Sequence, residues 1–102
     1  MVRFLVMYQQ PSDVEAFEQH YRDVHIPLAR KLPGLRSYAV SRNVKSIRGD
    51  AQYYLVAELE WDDMESLRTD FASPEGRATA ADVDTLGQWS VVQSMIYAPE
   101  EV

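Results

Sequence analysis

The sequence predicts one α+β domain: four strands in a single antiparallel sheet, helices packed on one face, in the order βαββαβ. Three observations carry that expectation. Four short runs rich in β-branched and aromatic residues alternate with two regions of helical apolar spacing. Each helical region follows a capping Ser or Asp and ends at Pro-Gly or Gly. The 102 residues, 46% of them hydrophobic, suffice for one core and leave no room for a second.

Residues 2–9 are apolar, β-branched and aromatic, and Gln9-Gln10-Pro11-Ser12 bounds them, so they form the first strand. Ser12 or Asp13 then caps a helix. Its Val14, Phe17, Tyr21, Val24 and Leu28 recur at steps of three and four, while Glu15, Glu18, Gln19 and Arg22 lie off that stripe. Pro27 has no amide hydrogen and clashes with the preceding turn. It is expected to break or kink the helix near His25-Ile26 and to restart it, and Pro33-Gly34 ends it.

Leu35 to Val44 alternates bulky and small side chains and reads as strand two; Ile47-Arg48-Gly49-Asp50 turns the chain, and Gln52 to Trp61 reads as strand three. Asp62 or Asp63 caps a short helix carrying Met64, Leu67 and Phe71. Ser73-Pro74-Glu75 opens a second helical stretch through Ala78, Ala81 and Val83 to Leu86-Gly87. Gln88 to Ala98 is strand four, and Pro99 to Val102 a tail. With no linker or tandem repeat, residues 1–102 read as a single domain.

This order is the split βαβ, ferredoxin-like arrangement. Its helices cover one sheet face only, yet both alternating sets of strand residues are apolar: Phe4, Val6 and Tyr8 against Leu5 and Met7, Tyr53, Leu55 and Ala57 against Tyr54 and Val56, Trp89 and Val91 against Val92 and Ile96. A bare apolar face marks an association surface. A homodimer, face to face, with a pocket closed by the second subunit, is the physical expectation.

Net charge is −6, split unevenly: residues 1–49 carry eight Lys/Arg and four Asp/Glu, residues 50–102 two and twelve. An acidic chain without a basic stripe is a poor nucleic-acid binder. The absence of cysteine excludes disulfides, thiolate zinc sites and thiol nucleophiles, and suits a reducing compartment. The N-terminus has no cleavable leader pattern and no run approaches the ~20 apolar residues of a membrane span, so a soluble cytoplasmic protein without a membrane partner is expected. Neither Gly-x-Gly-x-x-Gly, Gly-x-x-x-x-Gly-Lys nor Gly-x-Ser-x-Gly occurs. Asp62, Asp63 and Glu65 are more economically a capping cluster than a metal site, and no cofactor or metal is expected.

The run His20-Tyr21-Arg22-Asp23-Val24-His25-Ile26-Pro27-Leu28-Ala29, followed by Leu32-Pro33-Gly34-Leu35-Arg36, resembles the EthD family, named for a protein linked to bacterial ethyl tert-butyl ether degradation. The sharpest part is Phe17-x-x-x-Tyr21-x-x-x-His25-x-Pro27-Leu28 with the Pro33-Gly34-Leu35 behind it. The resemblance implies a small dimeric α+β barrel with a role beside oxidative catabolism or small-molecule tailoring. Superfamily relatives include cofactor-free quinone-forming monooxygenases, polyketide cyclases, muconolactone isomerases and haem-binding barrels.

His25 lies about 55° from the centre of the apolar stripe, at its edge, within reach of core or pocket. Amide hydrogens exposed by a helix restarting at Pro27 would disfavour imidazolium and leave a neutral general base. A haem ligand is a further reading; in another, the ring bonds a main-chain group freed by the proline. Tyr21, at i and i+4 from His25, can touch it and donate to a substrate carbonyl, or is a core aromatic. His20 sits on the opposite flank and is expected in solvent, and two histidines five apart make no metal pair. Arg36, Tyr38 and Arg42 share one face of strand two; on the bare face they would hold an anionic or enolate-forming substrate, otherwise they splay into solvent or onto Glu58 and Glu60. Tyr8, Tyr54, Trp61, Trp89 and Tyr97 supply aromatic surface, for core or dimer packing or for an aromatic-lined pocket that suits a ring-containing ligand.

The expected site is therefore catalytic His25 and Tyr21 with substrate-binding Tyr8, Tyr38, Arg42, Tyr54 and Trp61. Two function classes remain open: a cofactor-free oxygenase, cyclase or isomerase acting on a small hydrophobic or aromatic metabolite, and a non-catalytic carrier or accessory protein for a partner oxygenase. A haem-binding barrel is a third.

Overall fold

A computed structural model, describing residues 1–102, places β1 (Val2–Tyr8), β2 (Ser37–Ser41), β3 (Leu55–Trp61) and β4 (Val92–Tyr97) in one sheet of order β2-β3-β1-β4. Every neighbouring pair is antiparallel. Two βαβ units thus interlock, as the sequence order requires. The first helical region comprises α1 (Val14–His20), a π-helical turn Tyr21–His25 and α2 (Ile26–Ala29); the second comprises α3 (Met64–Ala72) and α4 (Pro74–Leu86).

The caps are those the sequence offers. Asp13 accepts from the Ala16 amide at 3.0 Å, Asp63 from Ser66 at 2.8 Å and Ser73 from Gly76 at 3.1 Å, each satisfying a donor the first helical turn leaves free. Pro27 behaves differently from expectation. His25 and Ile26 keep right-handed helical backbone angles, and the Ile26 amide donates to the Tyr21 carbonyl five residues back. The helix widens by one residue ahead of the proline instead of breaking.

Strand ends are shorter than the apolar alternation predicts. Beyond Ser41 the chain turns polar, and residues 42–52 run exposed or half-buried outside the ladder. Gly49, at φ 91°, supplies the left-handed turn residue there. Before β4, Trp89 and Val91 bond to Ser12 and Gln9 through backbone groups without extending the sheet.

Val2, Phe4, Val6 and Tyr8 face the helices together with Leu55, Ala57, Leu59 and Trp61, and Trp61, Tyr8, Tyr21, Phe17, Leu55, Leu86 and Val2 are the largest fully buried side chains. The opposite face carries Leu5, Met7, Val56 and Met95 at its centre, with Arg3 and Glu60 paired at 3.1 Å beside them. On that face β2 offers only Ser37, Ala39 and Ser41. Its large apolar residues thus come from three strands, not all four.

One corner locks the two helical regions to the sheet. Asp70 Oδ2 accepts from Trp61 Nε1 at 2.7 Å and from the Gly34 amide at 2.9 Å, tying β3, α3 and the loop after α2 to one buried carboxylate. Gly76 packs its backbone onto the same place: a Cβ there would lie 2.0 Å from the Asp70 carbonyl oxygen. Gly76→Ala is expected to cost about 3 kcal/mol, because backbone and not a flexible side chain would have to move. Urea denaturation checks this, and an unchanged midpoint would contradict the packing described.

Candidate functional site

Between the sheet and the helical layer lies a cavity of about 210 Å³. Small residues keep it open. On the floor Val6 is flanked across the ladder by Ala57 and Ser94, while Ala29, Thr79 and Ala80 form part of the roof. Larger side chains at those positions would fill the space to normal core density. The cavity runs along β1 from Tyr8 to Phe4, four residues or about 13 Å of strand.

Polar groups converge on the Tyr8 side. Tyr21 comes from the π-helical turn, and Tyr38 reaches diagonally from β2 so that the two hydroxyls meet at 2.6 Å. Tyr8 packs edge-on against Tyr21 with ring centres 5.6 Å apart, and Tyr21 lies 5.2 Å from the His25 ring. Burial pushes the Tyr8, Tyr21 and Tyr38 phenols above the usual tyrosine range, so all three stay protonated donors at neutral pH.

His25 is 5% exposed and lines this cavity. Its Nδ1 bonds Asp82 Oδ2 at 2.9 Å, and His20 Nε2 bonds the other oxygen of the same carboxylate at 2.7 Å. An ionised carboxylate only accepts, so Nδ1 of His25 is the protonated nitrogen and Nε2 carries the lone pair. No side-chain polar atom sealed from solvent is without a partner, and Nε2 bonds no protein atom. Nε2 is therefore not sealed from solvent, and the ring that carries it lines the cavity. Burial holds the imidazole below the ordinary histidine range; the Asp82 carboxylate opposes this without reversing it. At pH 7 His25 is a neutral, oriented base.

Both histidine expectations change for one reason. Residues five apart diverge by about 140° on an α-helix, but the wider π-helical turn brings His20 and His25 round to one side. His20 accordingly sits against Asp82 and the Trp89 ring, not in solvent, and His25 finds a carboxylate instead of a freed main-chain group. Asp82 itself was not among the expected residues. The buried stripe of α4 is Gly76, Thr79, Asp82 and Leu86, whereas Ala78 and Ala81 are exposed. Its spacing of three, three and four is helical, but only one of its members is a large apolar residue, so hydrophobic periodicity misses it.

Of the other expected residues, Tyr8 and Tyr38 line the cavity; Arg42, Tyr54 and Trp61 do not. Arg42 makes two bonds of 2.9 Å to Glu18 on the outer side of α1, where the Tyr54 hydroxyl joins it. Trp61 is core, held by Asp70 behind Phe71. Arg36 pairs with Asp62 at the surface. The Tyr38 and Val40 face of β2 is the covered one, so no guanidinium reaches the cavity and the anion-holding arrangement is not formed. At 210 Å³ the cavity falls below the roughly 300 Å³ at which drug-sized ligand sites begin, and a haem does not fit it.

The EthD domain pattern matches residues 9–86. An uncharacterised 11.0 kDa protein of the thcB-thcC intergenic region of Rhodococcus erythropolis is 31% identical over 101 residues, 99% of this chain and 96% of that protein. The crystal structure of an EthD family protein from Bacillus halodurans is 39% identical, covers 98% of this chain and 99% of its own, and superposes with a TM-score of 0.86. At 16% identity, two structures share the fold alone. SnoaB, a cofactor-independent oxygenase from Streptomyces nogalater, covers 99% and 94% of the two chains with a TM-score of 0.67. A dimeric ferredoxin-like protein of unknown function from Bacteroides fragilis covers 94% and 93% with a TM-score of 0.63. No helix is long and apolar enough to cross a membrane.

The depressed pKa of His25 has a consequence for stability. Unfolded, the ring titrates near about 6.5; folded, it titrates lower. Between the two values the unfolded chain binds more protons, so this contribution to stability is complete above pH about 6.5 and is lost as the pH falls towards the folded pKa. Thermal melts should show a midpoint that is level above that pH and declines below it, and His25→Gln should flatten the decline. An unchanged slope in the variant would assign it to other groups.

Proposed function

This chain belongs to the EthD domain family, and from that premise we propose that it binds a small hydrophobic or aromatic metabolite in the cavity and removes a proton from it, with His25 Nε2 as the base. The observation that carries this reading is the pairing of Nδ1 with Asp82 while Nε2, without a protein partner and not sealed from solvent, belongs to a ring lining a mostly apolar cavity. Asp82 fixes the tautomer and stabilises the imidazolium that proton transfer creates. Of the two hydrogens in the Tyr21–Tyr38 pair, one is spent between the hydroxyls and the other is free to donate to an enolate or phenolate oxygen. The carbanion equivalent so formed can react with dioxygen, close a ring or be reprotonated at another carbon. Cofactor-free oxygenation, cyclisation and isomerisation share that first step.

The protein acts as a cytoplasmic homodimer in this proposal. The centre of the bare sheet face, Leu5, Met7, Val56 and the half-exposed Met95, supports pairing through that face. Sedimentation at micromolar concentration should give twice the 11.7 kDa chain mass; a species of one chain mass would remove the dimer.

Cyclohexanone, an enolisable ring ketone, serves as the reaction probe. The protein should accelerate exchange of its α-hydrogens with deuterated water above the buffer rate, followed by NMR. His25→Gln should reduce the catalysed rate by about 100-fold or more, and Tyr21→Phe by about tenfold, with ketone affinity little changed. The acid limb of the rate should lie below the ordinary histidine pKa. A wild-type protein that binds the ketone without accelerating exchange, and in which His25→Gln alters affinity alone, is a carrier and not a catalyst.

A further inference from the structure

The polar end of the cavity defines the ligand it takes more narrowly than size and apolarity do. Tyr8 is 1% exposed and its hydroxyl bonds no protein atom. It belongs, like His25, to the lining of a mostly apolar space whose other hydroxyls are those of Tyr21, Tyr38, Thr79 and Ser94. Neither the Tyr8 hydroxyl nor Nε2 of His25 is sealed from solvent, so each is free to bond a ligand atom in place of water. Their hydrogen-bonding capacities differ. The tyrosines present hydrogens, whereas neutral His25 presents only a lone pair at Nε2.

One oxygen meets both demands only if it accepts and donates at once. A hydroxyl does. A ketone oxygen satisfies the tyrosines and leaves Nε2 unmet, an ether oxygen likewise, and a carboxylate cannot donate at all. Charge points the same way. No Lys or Arg lines the cavity, and the Asp82 carboxylate behind His25 repels an anion, while Arg30 and Arg42 act on the Tyr38 hydroxyl only from outside the lining. The ligand enters neutral.

Size and lining set the rest of the molecule. An apolar cavity of about 150 Å³ accepts benzene, so 210 Å³ leaves space for a ring and two or three further heavy atoms. Further along β1 from Tyr8 the walls are Phe4 and Phe71, their rings 5.3 Å apart, with Leu59, the strand partner of Tyr38, beside them. They offer no polar side-chain atom. We propose that the cavity takes a neutral single-ring phenol with a short alkyl group para to its hydroxyl, the hydroxyl placed among Tyr8, the Tyr21–Tyr38 pair and His25, the alkyl group against Phe4 and Phe71. This rests on the cavity being the ligand site, as proposed above. A phenol is also an enol in shape and polarity, the species that His25 would form from a ring ketone.

Three probes of matched outline test the assignment by chemical-shift titration at pH 7.5: 4-ethylphenol, ethylbenzene and 4-ethylbenzoate. The phenol should bind at least about tenfold more tightly than ethylbenzene, and the benzoate should not bind measurably. Tyr8→Phe removes one hydroxyl and no ring. It should narrow the preference for phenol over ethylbenzene by at least about threefold while leaving ethylbenzene affinity unchanged, and Ala57→Leu should weaken both apolar-tailed probes by filling the floor. Equal binding of phenol and ethylbenzene, or measurable binding of the benzoate, would overturn the proposal from the wild-type protein alone, whatever the variants do. A phenol preference untouched by Tyr8→Phe would overturn the part assigned to Tyr8. Because these are equilibrium measurements, the ranking can hold while His25→Gln has no effect on hydrogen exchange; that result removes the base and keeps the ligand class.

Discussion

The Asp82 carboxylate, 8% exposed and shared between His20 and His25, is the contact on which the site depends. A carboxylate withdrawn from water to this degree is costly unless its oxygens are satisfied. Here each oxygen has its own imidazole, and the two imidazoles come from one helix. The arrangement works because that helix is wound more loosely between Tyr21 and His25 than an α-helix. Tighter winding would send His20 and His25 to different sides, and α4 would then carry a buried charge with one partner at most. The π-helical turn, the proline behind it and the carboxylate on α4 thus form one device: the turn accommodates Pro27 and faces both histidines towards Asp82.

The cavity follows from a second constraint. At its floor the sheet places Ala57 and Ser94 on either side of Val6, and the helices above contribute Ala29, Thr79 and Ala80. Protein interiors are otherwise close-packed, and the atoms lining a void forgo dispersion contacts. Packing is tight elsewhere, at the Trp61, Asp70 and Gly34 junction and in the close seat of Gly76. Rigid packing at that corner and looseness beside β1 divide the molecule into a scaffold and a site.

Much of the fold was legible because its signals are local. Asp13, Asp63 and Ser73 cap where they were expected to, and the order of strand and helix patterns dictates the interlocked βαβ topology, although the first helical region ends at Ala29, ahead of the Pro33-Gly34 expected to stop it. What escaped is non-local or departs from ideal period. A step of 100° per residue placed His20 in solvent, and only a bulge that no residue pattern announces puts it beside His25. Asp82 and Asp84 look alike in the sequence; one is buried because α4 turns that side inward. Arg42 was drawn away by Glu18, 24 residues distant along the chain, and Arg36 by Asp62. Strand alternation correctly divided Phe4, Val6 and Tyr8 from Leu5 and Met7, but it cannot say which set the helices cover.

Two tyrosines facing one another are better suited than one to a site where charge appears only during reaction. A lone buried phenol with an empty acceptor side can rotate its hydrogen away from the ligand. In the Tyr21–Tyr38 pair, the 2.6 Å contact uses one hydrogen internally and polarises the hydroxyl that donates the other. Burial keeps both phenols protonated, so neither competes with the ligand as a source of the proton that His25 accepts. The only strong proton acceptor open to the cavity is then Nε2, and the only acidic hydrogen within its reach belongs to the ligand. In the proposed proton transfer, the imidazolium and the new oxyanion would lie within one space, each with its partner already in place. Preorganisation of this kind lowers the barrier without any group having to move.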